Sequence, residues 1–202
     1  MVYKVTTEYF QEDPELVQKF RHLSRDHWTD HVWRHRAYLV SSLAELPDFD
    51  TALDWSYKND NAIAATIAKY YGDNYAQKFV EIMSRWTGTM ASMLTYLKKP
   101  PANFNANTDA YFLELKKRWE DEIMSIADLL STMNPSYWNK TVMEKIFSSL
   151  VDLWMMQIAN RISKNWTQDL EALDKSFALA RDIADLFADG TIQQNLDKFS
   201  KV

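Results

Sequence analysis

The sequence predicts an all-α fold: an up-and-down bundle of four long helices with short connecting helices. Three observations carry this. Only three Gly and five Pro punctuate 202 residues, too few for the turns of an all-β or α/β chain of this size. The prolines fall where helices should begin or stop. On a helical wheel Phe20, Trp28, Val32, Leu39, Leu43 and Leu46 share one broad apolar face, with Arg25, Asp26, Thr29, Asp30, Arg34 and Arg36 on the other.

In chain order, residues 1–12 read as an irregular arm, in which "VYKVTT" has no evident partner strand. Asp13-Pro14-Glu15 combines an N-cap, a first-turn proline and a first-turn acid, so a helix starts there. It runs to about Ala44 and ends at Leu46-Pro47-Asp48. A short helix follows as "TALDWSYK", and Asn59-Asp60 restarts one through "NAIAATIAKYY" to Gly72, a left-handed C-cap position. From Asp73 a long helix runs to Pro100-Pro101; Gly88 and Ser92, four apart within it, would let a neighbouring helix approach closely. "KKPPANFNANT" is a loop and Thr108 a plausible N-cap for the next helix, which stops at Asn134-Pro135. Another spans about Asn139 to Ile162. Asn165 or Thr167 caps a last long helix to Asp189-Gly190, and "TIQQNLDKF" makes a final short amphipathic piece. One domain, 13–202, results, its two halves joined by the loop 98–108.

Composition removes several function classes. The formal charge is −5 and the basic residues are scattered, which leaves no footprint for nucleic acid. With no Cys there are no disulfides, thiolate ligands or Cys nucleophiles, which suits a cytoplasmic or other reducing compartment. The first residues lack signal-peptide character, and no run reaches the ~20 apolar residues of a membrane span. Nucleophile elbow, phosphate-cradling glycine loop and dinucleotide fingerprint are all missing.

The strongest chemical pattern is "HWTDHVWRHR", with His27, His31 and His35 at four-residue spacing. Two His at i and i+4 can hold a transition metal from one helix face. Three cannot share one ion, because ~12 Å of helix axis separates the outer two. Carboxylates from other helices would be needed, and neither the Glu-x-x-His of di-iron bundles nor His-Glu-x-x-His occurs. The reading favours a buried polar seam with hydrogen-bond partners over metal ligation. Its members are His31, Arg36 and, from the last helix, Asp169, Asp174 and Asp185. The acidic cluster Glu120, Asp121, Glu122 and Asp128 reads as a solvated face. Trp154-Met155-Met156 reads as bundle core.

Taken together, Trp28, His31, Arg36, Ser41, Leu46-Pro47-Asp48, Asn59, Tyr71-Gly72, Trp119, Asn134-Pro135, Asn165, Asp169, Asp174, Asp185 and Gly190 form a register over residues 20–192. In that register the chain resembles a family of small uncharacterised helical-bundle proteins of bacteria and large DNA viruses, whose enzyme names are unreliable. The resemblance implies a bundle fold. It also implies an interior polar site that is reduced here: Trp86, Leu150, Trp154 and Met156 stand where the family pattern carries polar residues, and Glu122, Met124 and Ser125 replace an Asn-x-Asp-Glu run.

The expectation is a non-catalytic structural or interaction protein without a cofactor, packing against itself or a protein partner. A subunit of a larger assembly or virion is one form of it. The alternative is a bundle binding a divalent transition metal through His27, His31 and His35, with oxidoreductase or hydrolase chemistry.

Overall fold

The computed structural model describes residues 11–201. Six helices follow one another: α1 (Pro14–Leu43), α2 (Phe49–Tyr71), α3 (Asp73–Lys98), α4 (Ala110–Met133), α5 (Lys140–Ile162) and α6 (Trp166–Gln194), then a 3-10 turn, Leu196–Phe199. The all-helical class is as expected, and among the described residues the only β pairing is one antiparallel bridge, Glu12 to Ser200. The element count differs. Every one of the six helices has 23 residues or more, so short connecting helices do not alternate with four long ones.

The helix starts follow from local chemistry. Asp13 accepts from the Glu15 N–H (3.0 Å), Asp109 from Phe112 (2.9 Å), Asn139 from Val142 (3.2 Å) and Asn165 from Gln168 (3.4 Å). Each satisfies a first-turn N–H that has no partner within the helix. Asp109 therefore takes the capping place expected of Thr108. Two helices end in left-handed residues that are not glycine, Glu45 (φ 51°) and Lys164 (φ 59°). In each case the next N–H reaches back around the turn, from Leu46 to Ser41 O (2.9 Å) and from Asn165 to Asn160 O (2.8 Å), as in a Schellman ending.

Each helix packs mainly against its chain neighbours, and α6 returns onto α1, closing the series into a ring. Arg21–Asp189 and Arg25–Asp185 pairs, both at 2.7 Å, line the outside of the α1/α6 seam. The two ends of the described segment meet where the Asp13 N–H donates to Phe199 O (2.7 Å) and the Lys201 N–H to Gln11 O (3.2 Å). Most of the expected N-terminal arm, including "VYKVTT", lies outside the described residues. No helix among those described is long and apolar enough to cross a membrane.

The interior is built on Trp28, Trp86, Trp119, Trp138 and Trp154, all fully buried. Burying large apolar side chains contributes about 1.5–3 kcal/mol each. Trp138 stacks on Phe187 at 5.1 Å and donates from Nε1 to Leu186 O (3.1 Å).

Four local expectations are corrected. Asn59-Asp60 does not restart a helix, because both side chains are buried on the interior side of a continuous α2. Gly190 does not end α6; it lies inside the helix, where a Cβ would overlap the Trp138 indole. Gly88 admits no close neighbour, since a Cβ there would meet nothing within 4 Å. Met156, read as core, is 45% exposed.

Candidate metal centre

His31 and His35 lie one turn apart on α1, with ring centroids 4.1 Å apart. Asp60 comes from α2 and Thr87 from α3, both of which pack near this stretch of α1. The exposures of His31, His35, Asp60 and Thr87 are 1%, 0%, 2% and 0%. Trp28 and Trp154 wall the site, with ring centroids 5.9 Å from His31 and 5.7 Å from His35 respectively.

The proton count is informative. His35 Nδ1 is 2.8 Å from the carbonyl oxygen of His31. A carbonyl only accepts, so Nδ1 carries the proton and Nε2 presents a lone pair. That Nε2 is 3.0 Å from the Thr87 hydroxyl, which is also 3.4 Å from Asp60 Oδ2; its one proton serves one of them at a time. Among the described residues neither nitrogen of His31 makes a hydrogen bond of good geometry, although the Asn59 side chain lies close enough to act on it; its Nδ1 is 3.4 Å from Asp60 Oδ1, which is also without a partner. Burial pushes His31 down to about 4 and, with His31 as neighbour, His35 down to about 3. Burial pushes Asp60 up to about 6. At neutral pH both imidazoles are thus neutral, and burial favours the neutral form of Asp60 as well. The cluster is rich in acceptors and poor in donors.

Buried acceptors without donors cost free energy, and either a proton on Asp60 or a bound cation relieves the balance; a cation would also occupy the lone pairs of both imidazoles. One donor atom from each of His31, His35 and Asp60 lies within 4.8 Å of the others. Around one tetrahedral ion, with bonds of about 2.0–2.2 Å, ligand atoms sit about 3.3 Å apart. Two imidazoles and a carboxylate suit a divalent transition ion, and the His35 Nδ1–H bond to a carbonyl is the kind of outer contact that orients a ligating His.

The remaining residues read as site candidates are placed elsewhere. His27 is half-buried at the edge, its Nδ1 3.4 Å from the Thr66 hydroxyl, and is not in the cluster. Arg36 and Asp169 form a second buried network: two guanidinium nitrogens of Arg36 reach the carboxylate at 2.5 and 2.6 Å, and Arg161 adds a bond of 2.9 Å. Arg36 also donates to Gln157, which donates to Ser176. Here donors match acceptors, so the network reads as structural. Asp185 is partly exposed on its pair with Arg25, and Asp174 is exposed, so neither joins a polar core. Asp60 was absent from the sequence-based site. Its signal was spacing, for it falls three and seven residues before the buried Ile63 and Ile67 on the inward line of α2. Comparison with protein-family models, curated proteins and solved structures finds no match for this chain.

Proposed function

We propose that the protein is a non-catalytic helical bundle that holds one divalent transition metal ion as an internal clamp, with His31, His35 and Asp60 as ligands. The observation that carries this reading is the acceptor-rich cluster itself, with both nitrogens of His31 and one oxygen of Asp60 unpartnered in the interior. Most buried polar atoms in proteins are paired, and of the unpartnered ones among the described residues only those of His31 and Asp60 lie together as potential ligands of one ion. An ion would neutralise Asp60 and tie α1 to α2. Three protein ligands leave a fourth position, as at catalytic centres, but ligands only 0–2% exposed wall that position from a substrate, which favours a structural role.

Thermal unfolding of tag-free protein with zinc and with chelator tests this. At a free ion concentration 100 times the Kd, binding adds about 2.7 kcal/mol, or roughly 5–10 °C for a domain of this size. His31→Ala and His35→Ala should abolish the zinc-dependent shift, whatever their own Tm. A wild-type Tm identical in zinc and chelator would remove the reading.

An interaction role is favoured separately by one surface feature. A groove of about 790 Å³ between the ends of α3 and α5 and the start of α4 is lined by Leu97, Phe104, Phe112, Met155, Met156 and Ile162. Adaptable Met side chains suit a protein-binding surface, whether in self-association or in a larger assembly of the kind the family resemblance suggests. Met156→Asp should lower the oligomer mass in light scattering; a wild-type monomer at all concentrations and with no captured partner would remove this role.

A further inference from the structure

The fourth coordination position of the centre has a candidate occupant on α3. Thr87 is fully buried beside the cluster, its side-chain oxygen 3.0 Å from His35 Nε2 and 3.4 Å from Asp60 Oδ2. This hydroxyl is used unlike other buried hydroxyls on the helices. Ser56, Ser176 and Thr191 donate one turn back along their own helix, to the carbonyls of Ala52, Ala172 and Phe187. Thr87 makes no such bond among the described residues; its contacts are His35 and Asp60.

The donor atoms lie as two opposite edges of a tetrahedron. One edge joins His31 Nδ1 to Asp60 Oδ1 at 3.4 Å, and the other joins His35 Nε2 to the Thr87 oxygen at 3.0 Å. Both are close to the separation of about 3.3 Å between ligand atoms around one tetrahedral ion. The proton count closes as well. An ion that takes the His35 lone pair ends the competition for the Thr87 proton. That proton then goes to Asp60 Oδ2, and a hydroxyl lone pair is left for the ion. His31 and His35 come from α1, Asp60 from α2 and Thr87 from α3, so this ligand would bring a third helix into the clamp.

We propose that the Thr87 hydroxyl is the fourth ligand, closing a site of two imidazoles, one carboxylate and one neutral hydroxyl. The proposal rests on the metal reading of the cluster, and cobalt(II) tests the two separately. The full chain is refolded from urea with cobalt present, so that the ion enters as the core forms. Wild type should hold about one equivalent and show the intense visible bands of four-coordinate cobalt. Thr87→Cys puts a thiolate in place of the hydroxyl and should add the near-ultraviolet charge-transfer band of a sulfur–cobalt bond. A hydroxyl that only orients His35 would leave position 87 outside the coordination sphere, and that band would be missing. Thr87→Val keeps the shape without the oxygen and should weaken cobalt binding at least tenfold, while Thr87→Ser should stay within about threefold of wild type. Cobalt held by wild type, with no sulfur band in Thr87→Cys or unchanged affinity in Thr87→Val, would overturn the Thr87 assignment and leave the three-ligand centre standing. No cobalt in wild type would remove the centre itself, and this assignment with it.

Discussion

The same substitution, Gly→Ala, should have opposite effects at two helical positions. At Gly88 the added methyl meets nothing within 4 Å. The helix then gains only the propensity difference, about 1 kcal/mol. At Gly190 that gain is opposed, because the new Cβ overlaps Trp138 at Nε1, Cε2 and Cδ1. The indole cannot withdraw freely: it is 1% exposed, stacks on Phe187 and donates to Leu186 O. Overpacking costs about 1–3 kcal/mol, and a buried N–H left unpaired about 1–3 more. After the propensity gain is subtracted, Gly190→Ala should destabilise by about 1–5 kcal/mol. Urea denaturation of both variants, at equal m-values, measures this directly. A Gly190→Ala protein as stable as Gly88→Ala would refute the claim that close approach of Trp138 requires glycine there.

The buried Arg36–Asp169–Arg161 network should make stability fall in acid. Burial alone would raise the Asp169 pKa, but hydrogen bonds and charge from Arg36 and Arg161 outweigh it and hold the carboxyl below its ordinary 3.8. Its contribution is therefore fully present above about pH 4 and is lost as pH falls through the lower folded value. Asp169→Asn should cost about 3–5 kcal/mol at pH 7 and flatten the acid limb of a stability–pH curve; an unchanged acid limb would count against the network. Glu45→Gly and Lys164→Gly should each stabilise by about 0.5–1 kcal/mol in denaturant titrations, because both positions are left-handed helix ends. A loss of stability in either would show that the side chain makes a contact worth more than the backbone strain.

The parts of this structure legible in the sequence are those fixed by neighbours along the chain. Asp13-Pro14-Glu15, the Pro100-Pro101 loop and Asn139 mark helix boundaries because capping is local chemistry. Positions whose meaning depends on another helix were harder to read. Asn59-Asp60 looks like a helix start until α1 packs against α2, when Asn59 Nδ2 donates to His27 O (3.0 Å) and Asp60 meets the imidazoles. His27 shares the spacing of His31 and His35, but each four-residue step drifts about 40° around a helix. That drift carries His27 to the edge. Glu122 is hidden within the acidic run from Glu120, although it falls three residues after Trp119 and four before Ile126, on the buried line of α4. Gly190 resembles a C-cap because the indole that requires it is distant in sequence.

The central claim is that the His31–His35–Asp60 cluster is a cation site. Elemental analysis of tag-free protein, incubated with zinc and then desalted, tests it most directly. About one equivalent of tightly held metal is predicted for the wild type, and less than about a tenth for His31→Ala/His35→Ala. A wild-type value below about a tenth of an equivalent, or an equal value in the double variant, would contradict the account.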